Sequence, residues 1–186
     1  MSSKVEPIMT IADLEAMPDD DNRYEIIEGE LFVSRAPGLN HQRISDNLIV
    51  IFRTYLDRTP IGEVVSAPGV IFSEISAVIP DLLFMSHESR DRIAVADRIR
   101  GAPDLIIEIL SPGPDNYRRD RIVKSQLYAR QGVREYWLVD PENHQVEVNA
   151  LKDQELLPAA TYGDSDELRS ELLPGFNCRV DLIFRV

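Results

Sequence analysis

The stretch Pro103–Leu110, PDLIIEIL, constrains the fold more than any other part of the chain. Its apolar residues run consecutively instead of alternating with polar ones. A strand reads this way when both faces of its sheet are covered, so the sheet lies in the interior with other layers on either side. Ser111-Pro112-Gly113-Pro114 then breaks the run. Inside it sits one glutamate, Glu108. Taking a carboxylate out of water is heavily unfavourable, so Glu108 needs either a metal ion or a salt bridge to a nearby arginine.

The neighbouring segments supply the layers. Residues 10–17 (TIADLEAM) read as a short helix, with Thr10 as N-cap and Asp13 completing a capping-box pattern. Tyr24–Val33 (YEIIEGELFV) reads as a β-hairpin turning near Gly29. His41–Leu56 is the clearest helix: Ile44, Leu48, Ile51, Phe52 and Tyr55 form one apolar stripe, and Asn40 is placed to cap it. Glu63–Phe72 reads as a strand kinked at Pro68-Gly69. Ala77–Met85 reads as a second strand, with Pro80 at an edge or a bulge. Residues 86–100 form a polar, helical connection. Asn116–Arg130 is a helix stopped by Gly132. Glu135–Val139 and Gln145–Leu151, turning at residues 140–143, form a terminal hairpin, and an irregular tail packs on the body. This order predicts an α/β (mixed α+β) protein with one central mixed sheet flanked by helices. A length of 186 residues with 44% hydrophobic content suits a single domain, 1–186.

Three residues stand out against this frame. Asp81 follows Pro80 within an apolar strand, where alternation separates Asp81 and Leu83 from Leu82 and Phe84. It lies in a cleft if Leu82 and Phe84 face the core, or at the surface if the strand is an edge. Glu108 is the second. Lys124 is the third, on a helical face shared with Asp120 and Tyr128 at i, i+4 and i+8; it can reach the end of the adjacent strand or pair with Asp120 on the surface. Two acids and a lysine are what metal-dependent cleavage of a phosphodiester needs: hard oxygen ligands for Mg²⁺ or Mn²⁺, and a cation to orient water or stabilise phosphate charge. His41 turns toward the body of the protein and can bind metal, orient water or cap its helix. Glu30, and less so Glu28, can add a third carboxylate. Asp104 shares a strand face with Glu108 but lies near the strand start, where solvent is expected.

Charge and motifs narrow the classes further. Net charge is −12, so any footprint for a polyanion must be local. Arg118, Arg119, Arg121 and Lys124 form one such patch, and Arg90, Arg92, Arg98 and Arg100 a second. Cys178 is the sole cysteine, which excludes an intrachain disulfide and suits a reducing compartment. No apolar run is long enough for a membrane span, and the first residues do not read as a signal peptide, so a cytoplasmic location is expected. There is no GxGxxG, Walker A, CxxC, HExxH or GxSxG pattern.

Five segments resemble the Uma2 family, also called DUF820, of the PD-(D/E)XK restriction-endonuclease-like superfamily. They are YEIIEGELFV at 24–33, His41-Gln42-Arg43-Ile44, Pro80-Asp81-Leu82-Leu83-Phe84, GAPDLIIEILSP at 101–112 and KSQLYARQGVREYWLVDP at 124–141. The resemblance implies a restriction-endonuclease-like core of αβββαβ type, with the motif aspartate on Asp81 and the motif glutamate on Glu108. The superfamily's lysine, two residues after that glutamate, is replaced here by Leu110, and the resemblance moves its role to Lys124. The expected activity is that of a Mg²⁺- or Mn²⁺-dependent endodeoxyribonuclease acting on DNA. Asp81, Glu108 and the Ile109 carbonyl would hold the metal, and Lys124 would position water. His41 and Glu30 would support them, and Arg118, Arg119 and Arg121 would contact the DNA backbone. A homodimer would cut both strands, with the hairpin carrying Tyr136 and Trp137 either forming its interface or lying in the core. Two other readings use the same residues: a catalytically degenerate module binding nucleic acid or a protein partner, and a hydrolase of small phosphoesters.

Overall fold

The computed structural model describes residues 7–185. Helix α1 (Ile11–Glu15) opens with the expected capping box, in which the Thr10 amide donates to Asp13 Oδ2 at 2.8 Å. Strands β1 (Asn22–Ile27) and β2 (Glu30–Arg35) form the expected hairpin. Its two-residue turn puts Glu28 at φ 53° and Gly29 at φ 82°. A Cβ on Gly29 would also lie 2.5 Å from the Ile8 side chain, so both conformation and space require glycine there.

Helix α2 (Leu39–Leu56) begins earlier than its apolar stripe suggests, with Gly38 and not Asn40 at the N-cap. It buries Ile44, Leu48 and Phe52. Beyond it, two expected strands each prove to be two. The segment read as one strand at 63–72 divides into β3 (Gly62–Ser66) and β4 (Val70–Ser73); that at 77–85 divides into β5 (Ser76–Val78) and β6 (Leu82–Ser86). Pro68 and Pro80 have no N–H to give a ladder, and at each break the chain leaves one sheet for another. Asp81 therefore stands in the junction between two sheets and not within a strand. The connection read as helical at 86–100 is a short helix, α3 (His87–Ile93), followed by the β7 (Ala94–Val95) and β8 (Arg98–Arg100) ribbon.

Strand β9 (Leu105–Ile109) is buried at every position, as its composition demands. The helix expected over 116–130 has three parts: α4 (Pro114–Arg118), a π-helical turn (Arg119–Lys124) and α5 (Ser125–Gln131). Gly132, at φ 87°, ends it. Strands β10 (Glu135–Asp140) and β11 (Gln145–Lys152) pair as expected, but the hairpin is not terminal. β12 (Glu155–Gly163) adds a third antiparallel strand, and β13 (Glu167–Arg169) with β14 (Asn177–Arg179) forms a small ribbon in the tail.

The central sheet has the order β12-β11-β10-β9-β6-β3 and is mixed: β9 and β10 run parallel, their neighbours antiparallel. A second sheet, which the sequence reading did not anticipate, has the order β2-β1-β5-β4-β8-β7. Alternation along the central strands sends side chains to two cores. Leu82, Phe84, Leu105, Ile107 and Trp137 pack with α2 and the C-terminal tail. Leu83, Met85, Ile106, Tyr136 and Leu138 pack with α5 and with Ile27, Val70 and Val78 of the second sheet. Tyr136 and Trp137 are both 0% exposed. They belong to the core and cannot form the face of a dimer, which corrects that expectation.

Candidate active site

Glu108 shares its strand face with Ile106, so its side chain enters the layer between the central sheet, the second sheet and α5. It is 4% exposed. Lys124 Nζ donates to its Oε1 at 2.9 Å and the Tyr128 hydroxyl donates to the same oxygen at 2.8 Å. The predicted helical face holds, since Asp120, Lys124 and Tyr128 are all buried. Asp120 and Lys124 lie in the π-helical turn and Tyr128 in α5, a local geometry frequent at functional sites. The Asp120 carbonyl accepts a 2.8 Å hydrogen bond from the Tyr136 hydroxyl, and Asp120 Oδ1 accepts one from Arg119 Nε at 2.9 Å. The surface Asp120–Lys124 pair is thereby excluded.

Asp81 is held on several sides. Its Oδ2 accepts the Ile109 amide at 2.8 Å and lies 3.1 Å from His41 Nε2; Arg23 stands 3.7 Å from Oδ1. It is 8% exposed, so it is neither an edge-strand surface acid nor simply opposite a one-sided core. His41 Nδ1 is buried without a hydrogen-bond partner among the described residues.

These groups line one cleft of about 420 Å³, shared with Glu25, Arg35, Arg119 and Asn116. Glu25 was not singled out by sequence, yet it is 4% exposed and its Oε1 lies 3.0 Å from Lys124 Nζ. The Ile79 amide donates to the same oxygen at 2.8 Å. The signal was present in the hairpin, where alternation places Glu25 on the face of Ile27, which is core. Glu28 and Glu30, the acids chosen there, are exposed. Glu28 pairs with Arg130, and Glu30 lines a neighbouring groove with Arg118. Tyr128 and Arg23 were likewise missed as site residues. Of the three expected basic contacts only Arg119 enters the cleft; Arg121 is clamped by both oxygens of Glu147 at 2.6 Å. Asp104, expected in solvent, is 6% exposed and accepts the Ser86 amide.

The electrostatics follow from burial. Burial pushes the Glu108 carboxyl up to about 8; Lys124 pulls it down, and Asp81, Asp120 and Glu25 push it further up. Burial also works against the Lys124 ammonium, but Glu108, Glu25 and Asp120 outweigh it and hold its pKa above the ordinary lysine value. Asp81 is likewise disfavoured by burial, yet His41, the Ile109 amide and Lys124 hold its carboxyl below the usual aspartate value. The result is an ammonium that stays charged beside a carboxylate short of positive charge. Among the described residues no group of three or more His, Cys, Asp or Glu side chains forms a ready-made cage. Asp81 and Glu108 are instead two hard-oxygen donors on one cleft floor, a set that fits an ion keeping much of its water, as Mg²⁺ does.

No helix among the described residues is long and apolar enough to cross a membrane. No curated protein matches the chain. Among solved structures it is similar to one from Anabaena variabilis ATCC 29413, described as a "putative nuclease belonging to DUF820". That likeness has a TM-score of 0.77 at 18% identity and covers 95% of this chain and 97% of the other, so it speaks to the fold. The family model for Uma2, described as "putative restriction endonuclease", matches residues 11–181, a span holding every strand of both large sheets and every residue of the cleft. With nearly the whole fold and the whole cleft inside that match, the chain belongs to the Uma2 family.

Proposed function

We propose that the protein is a Mg²⁺- or Mn²⁺-dependent endodeoxyribonuclease that works in this cleft. The observation that carries the reading is convergence. Asp81 from a sheet junction, Glu108 from the central strand and Lys124 from a π-helical turn share one cleft, with Lys124 Nζ 2.9 Å from Glu108. Asp81 and Glu108 would hold the divalent ion, with the Ile109 carbonyl beside them. When bound, the ion supplies Lewis acidity at the phosphate and lowers the pKa of a water.

The chain's own residues do the rest. Lys124 orients the attacking water or meets charge developing on the phosphate, in a site dry enough to strengthen that interaction. His41 positions Asp81 through its 3.1 Å contact. Arg23, Arg35 and Arg119 line the cleft and receive phosphate oxygens, replacing Arg121 in the expected set. Arg118, exposed in the adjoining groove, meets the strand farther out.

Calorimetry with Mn²⁺ tests this directly. Wild-type protein is expected to bind, and the Asp81→Ala plus Glu108→Ala double variant is not. Lys124→Ala should bind Mn²⁺ and fail to cleave DNA. Absence of binding to wild type, even with a non-cleavable DNA duplex present, would leave the fold as a non-catalytic module.

A further inference from the structure

We infer that Glu25 is a positioning residue for this reaction: it holds Lys124 in the cleft when Glu108 turns its oxygen to a divalent ion. The inference rests on the nuclease reading for its purpose, but its geometry stands apart from it. Lys124 Nζ lies between two carboxylate oxygens, Glu108 Oε1 at 2.9 Å and Glu25 Oε1 at 3.0 Å. All three side chains are 5% exposed or less, so a lost partner is costly to replace.

The two carboxylates are not equivalent. Glu108 shares its oxygen with the Tyr128 hydroxyl and shares the cleft floor with Asp81. Glu25 has its oxygen fixed by the Ile79 amide at 2.8 Å, on the chain segment that leads to Asp81. It belongs to β1 of the second sheet, whereas Glu108 belongs to the central sheet. An ion drawing on Glu108 removes one of the two charges that keep a buried ammonium in place. A second, independently anchored charge keeps the ammonium charged and aimed.

The chain contains three lysines, Lys4, Lys124 and Lys152, so a protein with ¹⁵N-labelled lysine side chains gives a simple ammonium spectrum. Lys124→Met assigns the signal. Glu25→Gln is the test variant, because its amide oxygen can still accept the Ile79 amide and a circular-dichroism melt verifies its fold. In wild type the Lys124 signal should exchange slowly with water and survive saturating Mg²⁺. In Glu25→Gln exchange should quicken at least several-fold without metal, and the signal should vanish on adding Mg²⁺. With DNA and Mg²⁺, Glu25→Gln should lower kcat at least tenfold with KM unchanged. An unchanged Lys124 signal in Glu25→Gln, or an unchanged kcat, overturns the inference. If wild type shows neither metal response nor cleavage, the nuclease reading fails, and the metal-free exchange rate alone decides whether Glu25 holds Lys124.

Discussion

Asp104 and Glu108 share one strand face four residues apart, and the structure gives them opposite electrostatic roles. Burial would push the Asp104 carboxyl up, but the Ser86 amide, the Ser89 and Ser86 hydroxyls and Arg134 outweigh it and hold its pKa below the ordinary 3.8. Glu108 is pushed upward by burial, which the Lys124 ammonium does not offset against the neighbouring Asp81, Asp120 and Glu25. Asp104 is thus a structural acid that ties β9 to the start of α3, and Glu108 a reactive one. A depressed folded pKa means that the stabilisation is complete above the unfolded value and is lost as pH falls through the folded one. Asp104→Asn should cost about 1–3 kcal/mol in urea unfolding at pH 7. The gap from wild type should narrow as pH is taken below 3.8, the unfolded value; a gap that is constant with pH would refute the assignment. Sequence made Glu108 legible, because one acid inside six residues of strand is conspicuous. It left Asp104 illegible, because its partner, the Ser86 amide, comes from a distant part of the chain; the hairpin's alternation marked Glu25 as buried, but not that Lys124 would be its partner.

At the level of elements, periodicity found the helices and proline placement found the breaks, but not what the breaks do. Pro68 and Pro80 were readable as a kink and a bulge; that each marks a change of sheet depends on pairings such as β4 with β8 that no local pattern encodes. The π-helical turn was equally hidden, since its residues fit an ordinary helix. Its effect is specific: it places Asp120 and Lys124 inward on either side of the exposed Ile122. Each residue of an α-helix turns the chain by about 100°. Deleting Ile122 should restore ordinary helical winding and, because the π-turn holds about one extra residue, set Asp120 and Lys124 three residues or about 60° apart, pulling Arg119 and Asp120 off their contacts in the cleft while Lys124 and Tyr128 stay with α5. The expected result is a folded protein, by circular dichroism, with DNA cleavage lowered at least tenfold. Retained cleavage would show that the turn is incidental.

Across the whole molecule, the central sheet divides the interior into two cores, and the site draws on both sheets that enclose one of them. Composition predicted a strand buried on both faces, and β9 is that strand, its parallel pairing with β10 being added by the structure; it could not reveal the second sheet, which is assembled from short strands scattered between residues 22 and 100. Trp137, the sole tryptophan, lies in the other core between Phe52 and Phe176, with ring centroids 5.6 and 5.8 Å away. Its fluorescence therefore reports the core opposite the cleft. If the two cores share one cooperative transition, urea curves from Trp137 fluorescence, far-ultraviolet circular dichroism and Mn²⁺ binding should coincide; loss of Mn²⁺ binding at lower urea would show that the second sheet peels away first. The junction at Ile79-Pro80-Asp81 gives this a longer reach. Glu25 accepts the Ile79 amide on one side, and Asp81 accepts the Ile109 amide on the other. Glu25 and Asp81 are thus also rivets between layers, and a lineage that abandoned the chemistry would still be selected to keep them. Within such a lineage these two acids would outlive the activity, and the residues free to drift would be ones that fasten no backbone among the described residues, such as Arg35 at the cleft wall.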